Sequence, residues 1–326
     1  MRRHGNLLLV GQKNDPHLKE VAALADDSGF QPLIFDTYSG TDRLSFHFGG
    51  KHETTLQVGG HESVPGSEIA GVWLRQKPMI VQPTWSPTKQ AAALFCQDEW
   101  RFALRRLDQA LPNATWMNPL TSQAHIASKA SQLDLAQLCG LRVPQTVVTN
   151  DWREVLALFE TSDEVIYKCL YWASFPDQTS VLTTRITADL VMANKDAIAK
   201  CPGIFQEFIP KAFEYRVTLV GDEIFTARVN TPSEGLASTD WRHAHLDDIF
   251  VADKLDSDVE EKIRQFQTMA ELKYGAYDLV VSKDETVYFL ECNPAGQYLW
   301  LKNKCGLDIS PAVVSFFTKE CAVRLG

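Results

Sequence analysis

The chain has 326 residues, 45% of them hydrophobic, and a formal net charge of −9 at pH 7. One hydrophobic core rarely organises more than about 250–300 residues, so two or three subdomains are expected. The acidic balance argues against broad nucleic-acid binding, which needs Lys and Arg to neutralise phosphates, and no apolar run reaches the roughly 18 residues of a membrane span.

In chain order, residues 7–10 form a short apolar strand closed by Gly11, and the mixed pattern of 16–28 predicts a helix. Gly29 and the run Pro32-Leu33-Ile34-Phe35 give the next strand, so the chain opens as a βαβ unit. Two short β-like runs flank Gly49-Gly50 within 45–58, and Gly71-Val72-Trp73-Leu74 reads as a buried strand before Pro78. Residues 87–110 carry a helical pattern, with Leu94, Phe95, Phe102, Leu104 and Leu107 available for packing and Pro112-Asn113 as its stop. After a linker, Thr121-Ser122 are N-cap residues for a helix running through Lys129 to Cys139, where Gly140 ends it. A strand at Val147-Val148, a helix over 152–160 with Asn150 as its cap, and a strand over 165–168 form a second, smaller α/β unit. Residues 206–209 and 215–220 are strand-like, and Gly221-Asp222 turns the latter into 224–229 as a hairpin. A loop over 231–239 follows, then a helix over 258–274, strands at 277–281 and 287–293 joined by Lys283-Asp284, and a packed terminal helix. The expected class is α/β with an antiparallel C-terminal part (α+β), divided at 1–118, 119–203 and 204–326.

The seven cysteines (Cys96, Cys139, Cys169, Cys201, Cys292, Cys305, Cys321) are odd in number and scattered. With no Cys-x-x-Cys pair they read as free thiols in a reducing cytoplasm. They lack identifiable His partners, so buried inert thiols are expected rather than nucleophiles. His243-x-His245 has no third ligand at metal spacing and reads as surface sequence.

The most informative residues are Asp278 in one strand and Glu291 and Asn293 in the next. Side chains two apart on a strand share a face, so Glu291 and Asn293 point together, and a facing Asp278 can complete an all-oxygen site suited to Mg²⁺. Alone, such a group is also what solvated strand ends look like. Its company is more specific: Lys129, Lys168, the run Gln206-Glu207-Phe208-Ile209, Arg216 and Arg228 precede it in order. This ordered set, from about 118 to 309, resembles the ATP-grasp superfamily. Three strings resemble, within it, the graspetide ligases that make microviridin-type side-chain lactones and lactams. They are Gly71-Val72-Trp73-Leu74-Arg75-Gln76-Lys77-Pro78, Asp240-Trp241-Arg242-His243, and Phe289-Leu290-Glu291-Cys292-Asn293-Pro294-Ala295-Gly296-Gln297-Tyr298-Leu299-Trp300.

The resemblance implies an ATP-grasp fold: a pre-ATP-grasp domain (1–118), a small middle domain (119–203) and a C-terminal domain with the metal site (204–326). It implies that Lys129 and Lys168 contact ATP phosphates, with Lys168 also near the adenine. The backbone around Glu207, Phe208 and Ile209 would bind the adenine edge and Glu214 the ribose. Asp278, Glu291 and Asn293 would hold Mg²⁺. Arg216 and Arg228, on neighbouring strands, would bear charge on the γ-phosphate and a substrate carboxylate, and Arg242 would bind an acidic substrate side chain. Plainer readings stand beside these: surface ion pairs for the lysines, cross-strand pairing of the arginines with Glu207 or Glu223, and pairing of Arg242 with Asp247 or Asp248. The loop 171–178 occupies the phosphate-lid position without a single glycine, a departure from the superfamily. The implied activity is ADP-forming closure of ester or amide rings on a precursor peptide with a leader segment, by a homodimer, without nucleic acid or membrane. A ligase joining an amino acid or small amine to a free carboxylate, or a non-catalytic nucleotide-binding protein, are the alternatives.

Overall fold

The computed structural model describes residues 4–49, 53–60, 62–75, 82, 84–170, 183–231 and 249–325. The opening strand β1 (Gly5–Val10) leads through α1 (Pro16–Asp27) to β2 (Phe30–Phe35). Asp15 caps α1 by accepting from the His17 N–H, and Pro16 occupies the first turn, where its missing donor costs nothing. A small antiparallel sheet, β3 (Arg43–Ser45), β4 (Thr55–Gln57) and β5 (Val64–Pro65), precedes β6 (Ile69–Leu74). After α2 (Pro87–Leu104) and α3 (Leu107–Ala110), the two-residue β7 (Thr115–Trp116) completes a sheet of order β2-β1-β6-β7, parallel throughout. Leu7, Leu8, Leu9, Val10, Val72 and Trp73 are buried, as the near-continuous apolar runs of covered parallel strands require.

Helices α4 (Leu120–His125) and α5 (Lys129–Leu138) connect to the middle unit, built from β8 (Thr146–Thr149), α6 (Trp152–Leu158), β9 (Val165–Lys168), β10 (Thr184–Ile186), α7 (Ala188–Ala193), α8 (Lys195–Ile198) and β11 (Gly203–Glu207). Its sheet has order β10-β9-β11-β8. The third layer is an antiparallel sheet of order β14-β13-β12-β15-β16, from β12 (Lys211–Val220), β13 (Glu223–Val229), β14 (Phe250–Asp253), β15 (Tyr274–Ser282) and β16 (Val287–Asn293). Helix α9 (Ser257–Met269) covers one face of it, and α10 (Leu299–Cys305) and α11 (Ser310–Leu325) end the chain.

Several expectations are corrected. The helix predicted over 121–139 is two helices broken at Ile126, whose side chain is buried. Asp151 rather than Asn150 caps α6, accepting from the Arg153 N–H. The helix predicted to 274 stops at Met269, because Glu271 takes a left-handed φ of 54° and Tyr274 already begins β15. Leu94, Phe95 and Phe102, predicted as packing residues, are exposed on α2, while Leu104 and Leu107 are buried. Strands β10 and β14 and helices α7 and α8 were not legible in the pattern.

Packing crosses the chain-order divisions. Ile126, Leu133 and Ala136 from the α4–α5 region join Val217, Leu219, Phe266, Tyr277, Leu279 and Phe289 in one core against the antiparallel sheet. Val313 and Phe317 of α11 pack with Leu7, Leu9, Val21 and Trp73, so the last helix closes the N-terminal sheet. Among the described residues no helix is long and apolar enough to cross a membrane, and all seven cysteines are free.

Candidate active site

All nine residues of β15 are buried, and Asp278 is its one carboxylate. The register sets Arg216 beside Asp278 on β12 and Glu291 beside Asp278 on β16. Residues directly opposite on antiparallel strands share a face, so Arg216, Asp278 and Glu291 line up across three strands, with Asn293 opposite Ala276 on the same side. The alignment depends on a bulge: Leu279 pairs with Phe289, leaving Leu290 as the extra residue. Phe289 therefore faces the core with Leu279, while Glu291 and Asn293 are re-aimed to the opposite face, beside Asp278.

Lys129, at the first turn of α5, brings its Nζ to 3.0 Å from Glu291 Oε2, and Asn293 Nδ2 donates to Glu291 Oε1 at 3.1 Å. Burial alone would raise the Glu291 carboxyl, but Lys129, Asn293 and Lys168 together bring its pKa down to about 2, so it is an anion at neutral pH. Arg216 is buried and donates from Nη1 to Asp278 Oδ1 at 2.8 Å and from Nη2 to Gln297 O at 3.1 Å. Two carboxylates and an amide oxygen on one face are a hard-oxygen donor set of the kind Mg²⁺ takes from protein, and they fit that ion.

The middle sheet supplies a further cation. Lys168 ends β9 and donates to Gln206 Oε1 at 2.7 Å, while Gln206 Nε2 donates to Thr146 Oγ1 at 2.8 Å. Burial lowers the Lys168 ammonium to about 8 against the opposing pull of Glu291, and Lys129, Glu214 and Asp278 also act on it. The lysine thus feels the same charged cluster. Residues 208–210 join β11 directly to β12. There the Phe208 N–H is bonded to Glu164 O at 2.9 Å, and the Glu207 N–H to Gln145 O at 2.8 Å. The Ile209 N–H has no backbone acceptor among the described residues. Arg185 stacks over the Phe208 ring at 3.9 Å. Glu214 is buried and ion-paired with Lys211.

Arg228 does not join this group, which corrects the expectation of paired guanidinium forks. It stands opposite Tyr215, whereas Arg216 stands opposite Ala227, so the two arginines project from opposite faces. The Arg228 guanidinium lies 3.8 Å over the Phe213 ring and its Nε donates to Asn230 Oδ1 at 2.8 Å. The loop 171–178, most of the loop 231–239, Trp241, Arg242, His243 and the stretch from Gln76 to Pro78 lie outside the described residues.

Two supports escaped the sequence reading. Gln132, one helical turn beyond Lys129, accepts the Cys292 N–H at 2.8 Å and donates to Cys292 O at 3.0 Å, gripping β16 between Glu291 and Asn293. Its i+3 spacing from Lys129 is the one signal that points to it. Asn118 accepts from the Lys273 and Tyr274 N–H groups and donates to Tyr274 O and Pro294 O, tying both strand ends together. The Cys292 thiol beside the site is pushed far up by burial, which makes it a packing group rather than a nucleophile.

No protein-family model and no curated protein matches the sequence. Solved structures do. The macrocyclase MdnC of Microcystis aeruginosa MRC, bound with precursor peptide MdnA, is 26% identical over 96% of this chain and 99% of its own, with a TM-score of 0.83. A RiPP-associated ATP-grasp ligase of Chryseobacterium gregarium, in complex with ADP and a leader and core peptide, is 25% identical over 97% of both chains, also at 0.83. D-cycloserine synthetase DcsG shares the fold alone, at 15% identity and a TM-score of 0.63. The chain has the mixed α/β ATP-grasp fold, and its resemblance to peptide-modifying ATP-grasp ligases holds along nearly its whole length.

Proposed function

We propose that this chain is an ADP-forming ATP-grasp ligase that closes ester or amide rings on a ribosomally made precursor peptide. The observation that carries the reading is the cluster in which Lys129, Arg216, Asp278, Glu291 and Asn293 are linked across one face of the sheet, with Lys168 close enough to feel its charge. It lies in a fold shared end to end with a macrocyclase solved with its precursor peptide.

In this reading Asp278, Glu291 and Asn293 hold Mg²⁺, which when bound neutralises charge on the nucleotide phosphates. Lys129 and Lys168 bind phosphate oxygens as compact cations, and the backbone at 207–209 offers hydrogen-bonding groups to the adenine edge, with Glu214 toward the ribose. Arg216 bears charge developing on the γ-phosphoryl group as it passes to an Asp or Glu side chain of the peptide. ADP leaves and an acyl phosphate remains; a Ser or Thr hydroxyl, or a Lys amine, of the same peptide then attacks the acyl carbon and releases phosphate. The overall change is loss of one water per ring. Arg242 would hold the acidic side chain before transfer, and a leader segment would dock the peptide. Free thiols suit a reducing cytoplasm. A homodimer is part of the reading, with Leu94, Phe95 and Phe102 as exposed apolar groups for it.

The test is mass spectrometry of an acidic, hydroxyl-rich precursor peptide incubated with the protein, ATP and Mg²⁺. The expected result is loss of about 18 Da per ring with matching ADP release. ADP release with condensation of an added free amino acid would instead establish a small-substrate ligase, and nucleotide binding without turnover would overturn the enzymatic reading.

A further inference from the structure

The C-terminal edge of the N-terminal sheet is occupied by buried side chains that reach into the C-terminal half of the molecule. His17 Nε2 accepts from the Tyr298 N–H at 3.1 Å and from the Leu299 N–H at 3.3 Å. Nε2 must then carry the lone pair, so the proton sits on Nδ1, which donates to Asp15 Oδ1 at 3.0 Å. Arg75, the residue after β6, donates from Nη1 to Gly296 O at 3.2 Å, and Tyr274 donates its hydroxyl to the same oxygen at 2.8 Å. The next carbonyl along, Gln297 O, is the one that Arg216 holds.

This segment is also in close contact with Arg216. A Cβ on Gly296 would stand 2.9 Å from Arg216 Nη2 and 2.4 Å from the Ala276 Cβ, so the backbone there lies directly against the guanidinium. Arg216 is therefore enclosed between Asp278 on one side and residues 296–297 on the other. Arg75 is 2% exposed, yet its Nε and Nη2 make no hydrogen bond. Its other contacts are an ion pair with Asp15, Nε to Oδ2 at 3.7 Å, and a cation–π contact 5.0 Å from the Trp73 ring centroid. A buried ion pair of this kind is a weak stabiliser beside a well-packed apolar side chain of the same size, which argues that the use of Arg75 lies elsewhere.

We propose that Arg75 and His17 are positioning residues for the reaction: from the end of β6 and from the first turn of α1 they clamp residues 296–299 and, through that segment, set the Arg216 guanidinium against Asp278. This rests on the reading of Arg216 as the group that bears phosphoryl charge. It gives the N-terminal α/β unit a part in phosphoryl transfer through two side chains that act on residues 296–299.

The experiment is a double-mutant cycle on the full-length protein with Arg75→Met and Arg216→Lys, reading ring formation and ADP release. Arg75→Met alone should lower kcat about 10- to 100-fold with the KM for ATP within about twofold, as misplacement of a charge-bearing group does. In the Arg216→Lys background the same change should add less than about twofold, because the clamp then has little left to position. Arg75→Lys, which keeps a donor for Gly296 O, should recover most of the rate, and His17→Ala run through the same cycle serves if Arg75→Met does not fold. Equal losses in both backgrounds would mark a structural role and overturn the proposal, as would a wild-type rate for Arg75→Met. If the wild-type protein closes no ring, the proposed reaction fails by itself. The cycle is then read on phosphate release from ATP, where additive losses overturn the clamp and non-additive losses support it.

Discussion

The two faces of the C-terminal sheet use the same strands for opposite ends. On one face Arg216, Asp278 and Glu291 follow one another across β12, β15 and β16, charged, Arg216 and Asp278 buried and Glu291 half-buried, each fixed by a partner on another element. On the other face, one residue out of step, Arg228 lies over Phe213 beside Tyr215, whose hydroxyl is 3.4 Å from Asp253 Oδ2. Residue type and charge are alike for the two arginines, which sit on the paired strands β12 and β13; the face each side chain takes separates a group enclosed with the metal-type carboxylates from a group stacked on Phe213.

The largest effect should come from breaking the buried face. Glu291→Ala should lower ring formation by more than about 1,000-fold, as loss of an electrostatic centre in a preorganised site can, while circular dichroism stays native. Arg216→Met should cost about 100- to 1,000-fold under the same assay. Turnover within tenfold of wild type for either variant would remove that residue from the chemistry.

That contrast was partly legible in the sequence. A two-residue turn at Gly221-Asp222 pairs Val220 with Glu223 and hence Arg216 with Ala227, so the opposite orientation of Arg228 follows from the turn already recognised. Treating the two arginines as a pair overlooked that register. The facing of Asp278 and Glu291 was expected, but the bulge at Leu290 that produces it leaves no mark in an apolar run. Gln132, Asn118, His17 and Arg75 act through contacts more than 100 residues away in the chain, and periodicity, a local signal, carries nothing of them. Motif order survives because the strands that bear it are neighbours in the sheet.

A smaller effect should come from pH. The Lys168 ammonium, lowered to about 8 by burial, loses its proton just above neutrality. If the charged form binds phosphate, nucleotide affinity should fall about tenfold between pH 7 and 9, the span expected of one titrating group. Folding stability runs the other way. The folded chain holds fewer protons at this lysine than the unfolded one between about 8 and 10.5, so stability rises with pH through that window. Lys168→Met should flatten the affinity profile measured by calorimetric titration; an unchanged slope would assign the titration to another group.

The smallest effect belongs to the rim. Arg228→Met removes a guanidinium stacked on Phe213 and a hydrogen bond to Asn230, in a half-buried setting where a cation–π contact contributes about 0.5–1 kcal/mol. Denaturant unfolding should shift by about that amount with an unchanged m-value, and ring formation should stay within about twofold of wild type. Methionine fills much of the same volume over the ring without charge, so the substitution isolates the charge from the packing. A 100-fold loss of turnover in a stably folded Arg228→Met protein would mean that the sheet passes charge through to its far side, and the division of labour between the two faces would have to be abandoned.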